Sequence, residues 1–160
     1  FRTGPEGKQA QEESFRRHIA VAKETGKALM IHDREAHEDV LRVLGEEGAP
    51  NTVIFHCFSG DAEMAKVCAE HGYFMSFAGN VTFAGAETLR EAAKAAPAEL
   101  VLVETDAPFL TPRPYRGRPN APYLVPYTLR SLAETKAMPE DELAAVVADN
   151  ARRAFAFPTS

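Results

Sequence analysis

The sequence is poor in cysteine, in long apolar runs and in positive charge, and each shortage removes a class of protein. Its two cysteines, Cys57 and Cys68, lie inside apolar runs and not in a spaced framework, so no disulfide is expected and a reducing compartment is the simpler setting. No apolar run nears the roughly 20 residues that a membrane span needs, and the start shows no charged region followed by an apolar signal core. A cytoplasmic protein is therefore expected. With 18 Lys and Arg against 23 Asp and Glu the formal charge is -5. That balance excludes a general nucleic-acid coat, because sequence-independent DNA affinity comes from clustered cations on phosphates. Low-complexity segments and domain linkers are lacking too. The chain opens at Phe1 without a methionine, before a turn-like Thr3-Gly4-Pro5-Glu6-Gly7, as though cut from something longer.

What is present fits one globular domain over residues 1–160, with 45% hydrophobic and 26% charged residues. Phe15, Ile19 and Ala22 recur at three- and four-residue spacing and Gly26 follows as a C-terminal stop, which predicts a helix over 8–25. A short apolar strand over 28–31 comes next. The alternation continues with helix 36–47, strand 53–58, helix 62–70, strand 73–77, helix 86–95 and strand 100–105. Strands that are continuously apolar are buried on both faces, and helices of about ten residues between them are the connections that parallel neighbours require. The fold class is thus α/β with about four parallel strands, which suits either a small doubly wound sheet or half of an eight-stranded barrel. Residues 111–130 break the rhythm, holding five prolines and four arginines and no acid, and read as a long ordered loop or lid. Helices over 124–136 and 140–155 close the chain, the second opened by Pro139.

Three strands end in residues that bind metals: Ile31-His32-Asp33, Phe55-His56-Cys57 and Glu104-Thr105-Asp106. In a parallel sheet or barrel the functional groups gather at the C-terminal ends of the strands, so three such endings point to one metal site. Side chains two apart share a strand face, which puts Glu104 beneath Asp106, and a buried carboxylate there needs a partner. By the same rule Cys57 faces the helices and belongs to the core. His18, His37 and His71 read as surface or structural residues. Asp33, Arg34 and Ser59 lie just past the ligand-bearing strand ends, within reach of a substrate. Arg113, Arg116 and Arg118, with Tyr115 and Tyr123 among them, suit a nucleotide strand, since arginine forks bind phosphate oxygens and aromatic rings stack on bases.

Several runs, in order, resemble the signatures of the TatD family of metal-dependent hydrolases. They are Ile31-His32 with Arg34, His56-Cys57-Phe58-Ser59-Gly60, Ser76-Phe77-Ala78-Gly79-Asn80-Val81-Thr82-Phe83, Glu104-Thr105-Asp106-Ala107-Pro108-Phe109-Leu110, Arg116-Gly117-Arg118-Pro119-Asn120, and Asn150-Ala151-Arg152-Arg153-Ala154-Phe155. The resemblance implies a TIM-type barrel, of which this chain covers roughly the second half, and a divalent-metal deoxyribonuclease acting from the 3′ end of single-stranded DNA. It implies that His32, His56 and Asp106 are metal ligands, that Asp106 also contacts the attacking water, and that Glu104 supports the site. Asp106 and Glu104 would then be the catalytic pair, and Arg34, Ser59, Arg113, Arg116, Arg118 and Asn120 the substrate contacts. The ion would be Mg²⁺, Mn²⁺ or Zn²⁺. Family members carry a leading His-x-His strand and a bridging Glu that this chain does not have. The expected partners are therefore DNA and either the missing N-terminal half of the barrel or a second copy of the chain. Two other readings stand beside this one: a hydrolase of a small-molecule ester or amide, and a catalytically incomplete association domain.

Overall fold

The computed structural model describes residues 4–156. Helix α1 (Gly4–Thr25) leads into strand β1 (Leu29–His32). The alternation then runs α2 (His37–Glu47), β2 (Val53–His56), α3 (Ala62–Glu70), β3 (Phe74–Phe77), α4 (Glu87–Ala95), β4 (Val101–Val103), and finally α5 (Val125–Lys136) and α6 (Glu140–Phe155). The strands form one sheet in the order β1-β2-β3-β4, every pair parallel. Helices between sequential strands are what parallel pairing demands, and the short apolar strands are buried as that geometry requires.

One face of the sheet and the inner faces of the helices make the main core. Phe55, Phe58 and Phe77 are almost fully buried there, beside Ile19, Val43, Leu44, Met75, Leu132 and Leu143. Each of those aromatic side chains contributes about 1.5–3 kcal/mol relative to exposure. On the opposite face Ile54, Phe74 and Leu102 form a smaller cluster closed by Ala154 of α6. Asn150 holds α6 in place, donating from Nδ2 to Ala98 O at 2.8 Å and Val101 O at 2.7 Å, at the start of β4. Arg153 adds a bond to Glu99 O at 2.6 Å and lies over the Phe74 ring. The Asn150–Phe155 run is therefore a staple between the last helix and the last strand.

Three sequence expectations are corrected. The helix expected from Lys8 starts at Gly4, whose φ of +71° glycine adopts without strain, so the described part of the turn-like run is helical. Burial on both faces holds for β2 and β3 but not for β1, which alternates: Leu29 and Ile31 are buried, while Met30 is 50% exposed and His32 is exposed. Among the described residues that side of β1 is only partly covered. The expected strands 53–58 and 100–105 both stop early, at His56 and Val103. Cys57 (φ +46°) and Asp106 (φ +55°) adopt left-handed backbone just past these ends, a conformation costly for residues other than glycine and common near functional sites.

Candidate metal centre

His32 and His56 are partners in the register of β1 and β2, at the last position of each strand, with ring centroids 5.6 Å apart. Glu104 follows directly on β4 and is tied to β3 by its N–H on Phe77 O at 3.0 Å. Its Oε2 accepts from Cys57 N at 3.2 Å, a bond that the left-handed turn at Cys57 makes available. Its Oε1 approaches His56 Nδ1 to 2.7 Å. The pair is out of line for a hydrogen bond, and Oε1 is buried without a hydrogen-bonding partner. Asp106 closes the group from the other side of the ring, its Oδ1 3.7 Å from His56 Nε2.

One donor atom from each of His56, Glu104 and Asp106 can be chosen so that all lie within 4.8 Å of one another. Donors on one ion with bonds of about 2.1 Å stand about 3–4 Å apart, so small side-chain movements would bring these three groups onto one ion. The buried Oε1 adds a chemical argument. A buried carboxylate oxygen without an aligned hydrogen bond is costly, and a cation would satisfy it. The donor set of one imidazole and two carboxylates fits a divalent ion, and His32 stands next to it as a further imidazole. The grouping differs from the sequence expectation in emphasis. Glu104, expected beneath the site as a support, lies against Nδ1 of His56 and also has an oxygen within reach of the group, and His32 is a neighbour outside the three residues. Strand alternation does not account for Asp106, since the left-handed turn has already broken the period.

Cys57 is also corrected. It is half-buried and absent from the core, and sits close enough to Glu104 and Asp106 to feel their charge. Burial first, then those carboxylates, push its thiol up to about 12. Burial pushes Cys68 up to about 12 as well. His18 lies on α1 with Nδ1 2.8 Å from Ser14 O, His37 pairs with Asp33, and His71 stacks on Tyr73.

The loop after Asp106 is anchored at both ends close to that residue. Asn120, only 6% exposed, donates from Nδ2 to Thr105 O and to Phe109 O, both at 2.7 Å, and from its backbone N–H to Pro108 O at 3.1 Å. Its Oδ1 accepts from Ala121 N, so its side-chain capacity is spent on the turn that carries Asp106. Thr111 Oγ1 donates to Arg118 O across the loop. The 3₁₀ turn Gly79–Thr82 receives the same segment: Arg113 N donates to Thr82 Oγ1 at 2.9 Å, and a Cβ on Gly79 would fall 2.0 Å from Leu110 O. Arg34, Arg113, Arg116 and Arg118 are exposed, Arg116 lying over the Phe83 ring at 4.3 Å. Ser59 is exposed, and its hydroxyl donates to Asp33 O at 2.9 Å, joining the ends of β1 and β2. The bond network that sets the Asp106 turn was not legible from spacing, although the Arg116–Asn120 run marked its residues.

Comparison with known proteins agrees with this arrangement. The family described as TatD related DNase matches residues 1–156. The uncharacterized metal-dependent hydrolase TatD of Mycobacterium tuberculosis is 54% identical over 145 residues, covering 91% of this chain and 55% of that protein. The uncharacterized metal-dependent hydrolase YabD of Bacillus subtilis is 45% identical, covering 92% and 58%. The crystal structure of YjjV, a TatD homolog from Escherichia coli, superposes with a TM-score of 0.82 at 28% identity, over 88% of this chain and 54% of that one. The chain spans a little over half the length of the relatives it matches. Parallel strands that end in His and carboxylate donors, a sequence matched almost from end to end and a shared half-barrel fold lead to one assignment: the chain belongs to the TatD family of metal-dependent hydrolases.

Proposed function

We propose that this chain provides a divalent-metal site for hydrolysis of phosphodiester bonds in DNA, in the manner of a 3′-5′ exonuclease on single strands. The observation that carries the reading is the convergence of His56, Glu104 and Asp106 donor atoms past the ends of the parallel strands, where Glu104 Oε1 is buried without a hydrogen bond. His56, Glu104 and Asp106 hold the ion, with His32 beside them. A divalent ion there supplies Lewis acidity, activating water and offsetting the charge that gathers on the scissile phosphate. Asp106 would help to hold the ion, and its carboxylate would accept the proton of the attacking water. Glu104 fixes the face of the His56 ring. Arg34, Arg113, Arg116 and Arg118 take the phosphate oxygens of the strand, and Ser59 and Asn120 shape the mouth by fixing its main chain. Mg²⁺, Mn²⁺ and Zn²⁺ all suit this donor set.

A second feature bears on partners. Among the described residues β1 and β4 each have a free edge, and Met30 presents apolar surface on the half-open side of β1. Open edges of this kind take up further strands. In the longer relatives the additional chain length suffices for the rest of a barrel, and the proposed partner of this half is such a segment or a second copy. Joining the chain to the N-terminal portion of the Mycobacterium tuberculosis relative tests both parts. The joined protein should degrade 3′-labelled single-stranded DNA only with metal, and Asp106→Asn should slow it at least about 100-fold. Full metal-dependent cleavage by the Asp106→Asn form would refute the assignment of Asp106.

A further inference from the structure

The geometry points to Phe109 as a stacking platform for the nucleobase next to the scissile phosphate. This inference rests on the nuclease reading above and extends it to a contact with the base. Phe109 is 68% exposed, an unfavourable position for a large apolar ring unless something covers it. Its main chain, by contrast, is held on both sides. Its N–H donates to Asp106 O at 2.9 Å, its carbonyl accepts from Asn120 Nδ2 at 2.7 Å, and the preceding carbonyl of Pro108 accepts from Asn120 N at 3.1 Å. The buried Asn120 leaves that turn little freedom. On the following residue, Leu110 takes φ +53° and its carbonyl closes against Gly79.

The bond from Phe109 N to Asp106 O closes a four-residue turn, so the two Cα atoms lie within about 7 Å. A rigid, exposed aromatic residue thus stands one turn away from a carboxylate of the metal group. Beyond it runs the loop bearing Arg113, Arg116 and Arg118. Phosphate held at the ion and at the arginines carries its base outwards, and an aromatic face at that place meets any of the four bases, because each has a π surface. Stacking of this kind tolerates sequence and requires an unpaired strand, since a base inside a duplex has both faces covered. The ring therefore selects for single strands and not for sequence. Its presentation by a clamped turn lowers the ordering cost of binding.

The test uses the whole chain loaded with Mn²⁺ and two single-stranded oligonucleotides, one carrying the fluorescent base 2-aminopurine at its 3′-terminal nucleotide and one with an abasic residue there. Phe109→Ala should bind the base-bearing strand about 5- to 100-fold more weakly than the unsubstituted chain and bind the abasic strand equally well. Phe109→Tyr should restore binding, and the 2-aminopurine quenching seen with the unsubstituted chain should vanish in Phe109→Ala alone. Equal affinity of Phe109→Ala for both strands relative to the unsubstituted chain, or an equal loss on both, would overturn the stacking role and leave the nuclease reading in place. If the unsubstituted chain binds neither strand in Mn²⁺, the platform is overturned for this chain, while the nuclease reading is judged on the joined protein above. Matching thermal melts of the variants exclude unfolding as the cause.

Discussion

Glu104 Oε1 and His56 Nδ1 stand 2.7 Å apart without the alignment that would let them share a proton. A ring nitrogen and a carboxylate oxygen brought this close without a hydrogen bond are placed to share a cation. Glu104→Gln keeps the shape and removes the charge. Affinity for Mn²⁺, read by calorimetry, should fall at least about tenfold. The metal-free melting temperature should hold or rise, because a half-buried carboxylate with one oxygen lacking a hydrogen bond is replaced by a neutral amide. A lower metal-free melting temperature with unchanged Mn²⁺ affinity would show that Glu104 is a structural partner of His56 and no ligand.

Asn120 holds three points of the Asp106 turn. Asn120→Ala strips the amide from the carbonyls of Thr105 and Phe109. The cost expected for buried groups left unpaired is about 1–3 kcal/mol, measurable by urea unfolding. Mn²⁺ affinity should weaken in parallel, because the turn that aims Asp106 loosens. A stability change without any change in Mn²⁺ affinity would separate the clamp from the site.

Gly79 is required by close approach and not by its dihedral angles. A Cβ there meets Leu110 O at 2.0 Å and Pro112 N at 2.9 Å, both main-chain atoms that cannot swing aside. Gly79→Ala should therefore cost about 1–3 kcal/mol by overpacking and shift the loop that begins at Leu110. Gly85, with open space around its own Cβ position, is the control: Gly85→Ala should be nearly neutral in the same unfolding assay.

The two cysteines give a pH signature. Both thiols are raised by burial from an ordinary 9.0 to about 12. A raised folded value means that the unfolded chain loses these protons first. Stability from this source is complete below pH 9 and declines as pH rises from 9 towards 12. Iodoacetamide at pH 8 should leave both thiols unmodified in the native chain and alkylate both in urea, as mass spectrometry would record. Rapid native modification of Cys57 would contradict its burial beside the carboxylates.

Much of the fold was legible because its cues are local. α3 occupies 62–70 as the periodicity predicts, and Asp61, whose Oδ1 accepts from Met64 N at 2.9 Å, is a capping residue visible in the sequence. The strands and their parallel order follow from short apolar runs between helices. The C-terminal limits of β2 and β4 did not: left-handed Cys57 follows β2 directly and left-handed Asp106 lies three residues past β4, neither of them the glycine that usually marks such a turn. The site shows the same division. His32, His56 and Asp106 stood out by their place at strand ends, whereas the entry of Glu104 into the donor group depends on the backbone turn at Cys57 and on the bond from Cys57 N to Glu104 Oε2. Asn120 drew notice only through the family resemblance of the Arg116–Asn120 run. Its burial under the Asp106 turn is a property of chain closure that linear spacing does not encode.

The central claim is that His56, Glu104 and Asp106 together hold a divalent ion. Anomalous diffraction from crystals of the chain grown with Mn²⁺ tests it most directly. The account predicts a peak bonded to His56, Glu104 Oε1 and Asp106 at about 2.1–2.2 Å. A peak elsewhere, or none with Glu104 and His56 closing into a linear hydrogen bond, would contradict it.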